Sequence, residues 1–162
     1  MTNRVNHTAS SRAFTLMEIL IVVVILGVLS AITVPAISGT TDDARKTSFV
    51  SSLKTYVKAV QRYRIDNGAY PADGSSGVIP AGLDVYVDEN NFNSVTPIGG
   101  VWDTELGSYG VTAAIGVHFD GSGDTQNDAY MATIDAMLDD GDLAAGAFQR
   151  IDGGRYYYIL AD

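Results

Sequence analysis

The sequence predicts an α+β protein in which one long N-terminal helix packs on a small antiparallel sheet. Three features lead to this prediction. An apolar run without any charged residue extends from Ile19 to Ile37, and apolar residues at helical spacing continue to Asn67. Beyond that point, short apolar segments alternate with loops rich in Gly, Asp and Asn. The chain of 162 residues has no cysteine, so there is room for one small domain beyond the apolar run, and disulfides do not contribute.

The apolar run has the length of a membrane-spanning helix. At about 1.5 Å per residue, the uncharged segment reaches roughly 28 Å, which is close to the thickness of the hydrocarbon layer. We therefore predict a transmembrane helix over residues 14–37. The preceding residues 1–13 are polar, contain Arg4 and Arg12, and lack acidic residues. By the positive-inside rule, this end stays in the cytoplasm and the rest of the chain is exported.

One acidic residue, Glu18, lies at the start of the apolar run. A carboxylate costs about 2.5–3.5 kcal/mol at the centre of a membrane helix and less near its ends. The residues alone leave two interpretations open. In the first, Glu18 has a functional role and a charged partner, and in the second it lies at headgroup depth and faces water.

The residues around this carboxylate resemble a known processing signal. The segment AFTLMEIL, from Ala13 to Leu20, and the apolar residues after it are similar to the prepilin signature of type IV pilins and type II secretion pseudopilins. The resemblance implies that a prepilin peptidase cleaves between Ala13 and Phe14 and methylates the new amine of Phe14. It also implies that Glu18 pairs with the Phe14 amine of a neighbouring subunit and that Pro35 bends the helix. Ala13 stands where the family usually has glycine, so we expect slower cleavage.

The order of cleavage site and apolar run decides what the mature protein retains. A secretory signal has its apolar core before the cleavage site and loses it. Here the apolar run follows the site and is retained. Small residues at Gly27, Ser30 and Ala31 permit close contact between such helices in a membrane. An uncleaved signal anchor has the same basic flank and stays an alternative.

Residues 38–67 are predicted to continue the helix as an amphipathic stalk. Apolar residues recur at three- and four-residue spacing, and aromatic residues recur every seven, on one face. These residues are Phe49, Val50, Leu53, Tyr56, Val57, Val60 and Tyr63. The basic residues on the remaining surface either meet only solvent or also contact the acidic heads of neighbouring subunits. Asn67 and Gly68 tolerate the left-handed conformation that ends a helix.

The end of this helix carries a second resemblance. The segment from Tyr63 to Pro71, YRIDNGAYP, is similar to the Y-x-x-D-N-G-x-Y-P segment of major pseudopilins of type II secretion. The resemblance implies a structural role, in which the segment turns the chain out of the helix. With the long helix, it implies a pilin-like architecture and favours a pseudopilin over an adhesive pilin.

Residues 68–162 are predicted to form a globular head around a small antiparallel sheet. The predicted elements are a strand or helical turn over residues 83–87, a turn over 90–93, a turn over 96–100, a strand over 109–119, a helix over 129–138, and a hairpin of 148–151 and 155–160.

The head is acidic and holds only two of the chain's ten Lys and Arg. This balance argues against nucleic acid as a partner, because binding its phosphates requires basic residues. Asp120, Ser122, Asp124 and Asp128 alternate as oxygen ligands suited to calcium. Thr125 stands where an EF-hand needs glycine, so the loop is not one. The resemblance to major pseudopilins implies calcium in the head, and the alternative is a solvated acidic loop.

The sequence does not indicate an enzyme. His118, the one histidine after the leader, lies on a predicted strand and is interpreted as structural. No Ser/His/Asp set, metal cluster or phosphate-binding loop has a usable spacing. A second acidic run, Asp139, Asp140 and Asp142, is interpreted as a capped helix end.

Two functions stay open at this point. The first is a structural subunit of a pseudopilus or type IV pilus-like filament. Its expected partners are its own copies, other pilin-like subunits, the prepilin peptidase/methyltransferase, the inner-membrane assembly platform and the membrane. The second is a signal-anchored periplasmic binding module that does not polymerise. Both place the chain in the inner membrane with one span, a cytoplasmic N-terminus and a periplasmic head, and an assembled pilus would carry the head outside the cell.

Overall fold

The computed structural model describes residues 14–162, and the side chains of residues 32–38 lie outside the description. Its elements are the helix α1 (Leu16–Asn67), a 3₁₀ turn (Leu83–Val85), the helix α2 (Glu89–Phe92), the strands β1 (Val101–Leu106) and β2 (Ala113–His118), the helix α3 (Asp128–Leu138), and the strands β3 (Phe148–Asp152) and β4 (Arg155–Ala161). The predicted α+β class, with a long N-terminal helix and a small antiparallel sheet, is confirmed.

The chain divides into two compact units, one ending at Thr41 and one formed by Asp42–Asp162. The helix α1 contributes residues to both units, and it continues through Pro35. The predicted leader, residues 1–13, lies outside the described residues, as does the side chain of Pro35. The predicted division into leader, span, stalk and head stays a prediction.

Within the described residues, no helix meets the combined length and hydropathy of a membrane span.

In the second unit, α1 buries the apolar face that the spacing predicts. Phe49 and Leu53 are fully buried, and the other apolar positions of this face from Val50 to Val60 are nearly so. Trp102 from β1 stacks on Phe49 with ring centroids 5.0 Å apart, and the ring of Tyr56 meets Trp102 edge-on at 4.8 Å. Such aromatic pairs add about 0.5–1.5 kcal/mol each beyond the area that they bury. This aromatic cluster holds α1 on the sheet.

The sheet has the strand order β1-β2-β4-β3, and every neighbouring pair is antiparallel. Ile115, Val117 and Tyr156 share its inner face with Trp102 and join the same core. On β2, Gly116 lies so close to the β4 backbone that a Cβ atom would collide with it. A glycine is therefore required at the centre of this sheet.

Both outer strands of the sheet have part of their free backbone groups covered. On the β1 side, Val95 forms an isolated antiparallel bridge with Val101. On the β3 side, the Arg150 amide donates a 2.9 Å hydrogen bond to the carbonyl of Leu143 in the preceding loop.

The head elements agree with the sequence where local signals were strong. The predicted helix and hairpin are confirmed within one residue at each end. Asn127 caps α3 by accepting a 2.9 Å hydrogen bond from the Tyr130 amide. The predicted strand 109–119 is shorter, because residues 107–112 form a turn in which Tyr109 has a φ of 52°.

Two short elements differ from the prediction. Of the predicted turn at residues 90–93, the first three residues belong to the helix α2 and Asn93 is its C-cap. Asp88 caps the start of this helix by accepting a 2.9 Å hydrogen bond from the Asn91 amide. Phe92, fully buried, anchors this helix in the core. The strand β1 was not predicted, because its alternation places Asp103 and Glu105 on a face that the sequence cannot identify as buried.

The segment from Tyr63 to Pro71 ends α1, as predicted. Gly68 has a φ of 76°, and its amide donates a 2.8 Å hydrogen bond to the Arg64 carbonyl. The hydroxyl of Tyr70 then donates to the Leu160 carbonyl at 3.1 Å. The segment therefore joins the end of α1 to the last strand of the sheet.

Candidate functional site

The first turn of α1 is closed by its own side chains. Thr15 stands just before the helix, and its Oγ1 accepts a 3.2 Å hydrogen bond from the Glu18 amide. In return, Glu18 Oε2 accepts hydrogen bonds from the Thr15 amide at 3.1 Å and from its hydroxyl at 3.2 Å. This reciprocal arrangement is a capping box, which satisfies amides that a helix start leaves free. It gives Glu18 a role within its own chain that the sequence prediction did not include.

The apolar side chains after this cap are exposed in the isolated chain. Phe14 is 78% and Leu16 90% exposed, and the large apolar side chains from Ile19 to Leu29 are each about half exposed. A helix that is apolar on all sides is normally buried in lipid or protein. The residues that the structure describes therefore leave the apolar surface of this segment uncovered.

Gly27 lies within this exposed segment. A Cβ atom built at this position meets no described atom within 4 Å. The described residues therefore leave space for a larger side chain here. The small size of a glycine is what permits another helix to pack closely at such a position.

The predicted calcium ligands face separate partners. Asp120 Oδ1 accepts a 2.9 Å hydrogen bond from the Ser122 amide, which holds the pKa of Asp120 below its ordinary value. Asp124 Oδ2 lies 3.4 Å from Arg45 Nη1 on α1. Asp128 is engaged by Arg150 and by the hydroxyl of Tyr156. Among the described residues, these carboxylates do not form a metal-sized group, and calcium in this loop stays a prediction.

A buried ionic network lies on the outer face of the sheet, opposite α1. Arg155 Nη1 lies 2.6 Å from Asp103 Oδ2 and 2.5 Å from Glu105 Oε1. The two carboxylate residues are only 4% and 6% exposed. Tyr157 donates a 2.7 Å hydrogen bond to Asp103 Oδ2, and its burial raises the pKa of the Tyr157 hydroxyl. One arginine thus contacts two neighbouring carboxylates of β1, and its single positive charge balances only one of them when both are ionised.

His118, interpreted from sequence as structural, joins the edge of this network. Its Nδ1 lies 2.9 Å from Ser76 Oγ, which in turn lies 2.7 Å from Asp103 Oδ2. Burial, followed by the charge of Arg155, lowers the pKa of His118. In a catalytic triad the histidine lies between the serine and the carboxylate, whereas here the serine lies between the other two. The hydroxyl is bound to the carboxylate, so the contact fastens the loop of Ser76 to the sheet.

Because of Glu105, the stability of the head is expected to depend on pH. Burial, and then the charge of Asp103, raises the pKa of Glu105 from 4.5 to about 7. Between these two pKa values, the folded chain therefore retains a proton that the unfolded chain has released. The stabilisation that this proton gives the folded chain is complete below pH 4.5 and is lost as the pH rises to about 7. With solvent screening taken into account, we expect the free energy of unfolding to fall by about 1–2 kcal/mol over this pH range.

Thermal unfolding of the full chain at pH 5 and pH 8 tests this expectation. The variant Glu105→Gln, which has no proton to lose, should show a fall in melting temperature smaller than that of the wild type by about 5 °C. Equal falls in the two proteins would exclude Glu105 as the cause.

Comparisons of the sequence and of the fold with known proteins agree with these observations. Residues 8–34 match the family described as the prokaryotic N-terminal methylation motif. The type II secretion system core protein G of Klebsiella michiganensis is 40% identical over 62 residues, which are 38% of this chain and 44% of that protein. The corresponding protein of Pseudomonas aeruginosa is 44% identical over 59 residues, 36% of this chain and 42% of that protein. The chain spans less than half the length of these curated relatives.

The fold has a neighbour among solved structures, the major type IV pilin PilA1 from Clostridium difficile. The two match with a TM-score of 0.51 and 18% identity, over 75% of this chain and 97% of that chain. The chain therefore has a pilin-like fold, and its N-terminal segment matches the methylation motif. Over the matched residues it is similar to the core protein G of type II secretion, and the resemblance to pilins and pseudopilins stated from sequence is confirmed.

Proposed function

We propose that the chain is a structural subunit of a pseudopilus that serves type II protein secretion. The observation that carries this proposal is the run of exposed apolar side chains that starts at Phe14. The run lies within the segment that resembles the methylation motif, while the rest of the chain buries its own apolar core. An uncovered apolar helix on a folded head suits a subunit that is stored in a membrane and later buried among copies of itself.

The proposal includes the processing of the N-terminus and the location of the chain. A prepilin peptidase/methyltransferase removes residues 1–13 by cleavage between Ala13 and Phe14 and methylates the Phe14 amine. Residues 14–37 span the inner membrane, with the N-terminus in the cytoplasm and the head in the periplasm. An inner-membrane assembly platform then transfers the subunit into the filament.

In the filament, the helices of neighbouring subunits cover one another. Gly27, beside which the described residues leave open space, permits close contact there, and Pro35 adjusts the direction of the helix. The Glu18 carboxylate pairs with the methylated amine of Phe14 on the next subunit. Because both charges lie among apolar side chains, each removes much of the other's desolvation cost when their geometry is good.

Intact-mass and N-terminal peptide analysis of protein extracted from membranes tests the proposal. We expect a mature chain that starts at methylated Phe14 in cells with active prepilin peptidase, and a chain that retains residues 1–13 in cells without it. The variant Ala13→Gly, which restores the usual residue of the family, should mature at least as fast as the wild type. A chain that retains residues 1–13 in the presence of the peptidase would instead support a tethered binding module.

A further inference from the structure

A cleft opens between α1 and the part of the chain that leads from α1 to β1. Its volume is about 560 Å³, which lies within the range of about 300–1,000 Å³ that is usual for small-molecule sites. The cleft lies wholly in the second compact unit of the chain. Polar side chains form most of its walls, and they are Ser51, Ser52 and Thr55 of α1 and Asp88, Asn91 and Ser94 from the other side.

Two aromatic residues in the lining carry polar groups that the chain itself leaves unbonded. Tyr56 is 6% exposed and Trp102 is 2% exposed, and their ring centroids lie 4.8 Å apart. Among the described residues, neither the Tyr56 hydroxyl nor the Trp102 indole N–H has a hydrogen-bond partner. Neither atom is sealed inside the protein, so both reach the cleft that their residues line. Because buried Tyr and Trp usually bond their polar atoms, we expect partners from outside the chain in this cleft.

The floor of the cleft, formed by Tyr56 and Trp102, offers hydrogen-bond donors. An indole N–H can only donate. Burial, followed by the charge of Asp88, raises the pKa of Tyr56, so its hydroxyl keeps its proton. An occupant must therefore present oxygen acceptors to this floor. The negative charge of Asp88 acts against an anionic occupant, so these acceptors belong to a neutral molecule.

The walls of the cleft offer mainly acceptors. The Thr55 hydroxyl donates its hydrogen to the Ser51 carbonyl at 3.0 Å, which leaves its lone pairs available. The Ser94 hydroxyl donates in the same way to the Asn91 carbonyl at 2.8 Å. Asp88 accepts the Asn91 amide with Oδ1 and has a second carboxylate oxygen. An occupant must therefore carry donors and acceptors close together, as sugar hydroxyls do, since each has one hydrogen and two lone pairs.

We propose that this cleft binds a neutral saccharide of one or two units, held by the Tyr56 hydroxyl, the Trp102 indole N–H and Asp88. An extended polypeptide suits the cleft less well, because such a segment binds by adding a strand to a free sheet edge. The edge of β1 beside the cleft is already partly occupied, since Val95 forms its bridge with Val101 there. The saccharide site goes beyond the proposed function and does not depend on it.

Titration of the full chain with neutral disaccharides tests the site. The detergent must have no sugar headgroup, because such a headgroup would compete for the cleft. Trp102 is the single tryptophan of the chain, so its fluorescence reports on the floor of the cleft. We expect a saturable change in emission with at least one of maltose, cellobiose, lactose and trehalose. A few neutral hydrogen bonds support a dissociation constant of about 1 mM.

Two Tyr→Phe variants locate the binding. Tyr56→Phe removes a hydroxyl without a partner among the described residues, so the melting temperature should change by at most about 2 °C. The same variant should weaken disaccharide binding by at least about fivefold. Tyr86→Phe is the matched control, because Tyr86 also lines the cleft but its hydroxyl donates a 3.0 Å hydrogen bond to Asp66. The control should keep the affinity of the wild type.

Four results would overturn the assignment. No saturable response at about 50 mM of any of the four disaccharides would mean that the floor groups bond only to water. Equal affinities of Tyr56→Phe and the wild type would exclude the Tyr56 hydroxyl as a ligand. A response to the capped peptide acetyl-tetraglycine amide but to no disaccharide would make the cleft a polypeptide site. A stronger response to the anion digalacturonate than to every neutral disaccharide would contradict the role of Asp88.

The outcome of these titrations is separate from that of the proposed function. They measure binding by the head and require neither cleavage between Ala13 and Phe14 nor filament formation. A chain that matures and assembles but binds no disaccharide would remove the saccharide site alone.

Discussion

Replacing Glu18 with glutamine is expected to leave the start of α1 intact and to prevent incorporation of the subunit into filaments. Glutamine at this position still closes a capping box, because its side-chain oxygen reaches back to the Thr15 amide as that of Glu18 does. The substitution removes only the negative charge that the Phe14 amine of the next subunit would meet. Breaking a buried charge pair costs about 3–5 kcal/mol, which corresponds to at least about a 100-fold fall in the equilibrium for incorporation.

Thr15→Ala is the matched control for this substitution. It removes the hydroxyl that bonds the Glu18 amide, at a cost of about 1 kcal/mol in helix capping, and it keeps the carboxylate. We expect this variant to assemble. Filament yield is measured in sheared fractions, and membrane insertion is checked by resistance to carbonate extraction. Normal filaments from Glu18→Gln and none from Thr15→Ala would mean that Glu18 serves only its own helix.

Replacing Arg155 with methionine is expected to cause the largest loss of stability of the head. The substitution leaves Asp103 and Glu105 buried beside each other without their shared cation. Removing one partner of a buried ionic group costs about 3–5 kcal/mol, because the charge that stays behind is uncompensated. Thermal unfolding at pH 8, followed by the fluorescence of the single tryptophan, Trp102, measures the loss.

Arg150→Met is the matched control on the neighbouring strand. Arg150 pairs with Asp128 at 2.7 Å, but both side chains are about half exposed, so a loss of at most about 1 kcal/mol is expected. Adding Asp103→Asn and Glu105→Gln to Arg155→Met should restore much of the stability, because no buried charge then stays unpaired. Equal losses for the two arginine variants would show that the network contributes no more than a surface pair.

The elements predicted correctly are those whose signals are local in the chain. The apolar spacing from Phe49 to Val60, the Asn67-Gly68 stop and the final hairpin each depend on residues a few positions apart. The fold class followed from the same signals. The strand β1 was missed because its two carboxylates are buried beside Arg155, about fifty residues later in the chain, and pairing over that distance is set by the packed fold.

The candidate sites show the same limit. The sequence identified Glu18 as an exceptional residue, but only the structure shows the hydrogen bonds that it makes with Thr15. Acidic alternation suggested Asp120 to Asp128 as calcium ligands, whereas the described contacts give Asp124 and Asp128 arginine partners. Tyr56 was predicted only as part of the apolar face of α1, since the surroundings of its hydroxyl depend on how Trp102 and the chain around Asp88 pack. A pattern in the sequence does not show whether a buried side chain has a hydrogen-bond partner.

The covered outer strands of the sheet bear on how copies of this chain behave when they are crowded together. Free backbone groups at a sheet edge recruit strands from other molecules and lead to aggregation. Here the Val95 bridge and the Leu143 carbonyl occupy part of those groups on the two edges. In the proposed filament, heads with these covered edges are therefore less prone to join sheet to sheet.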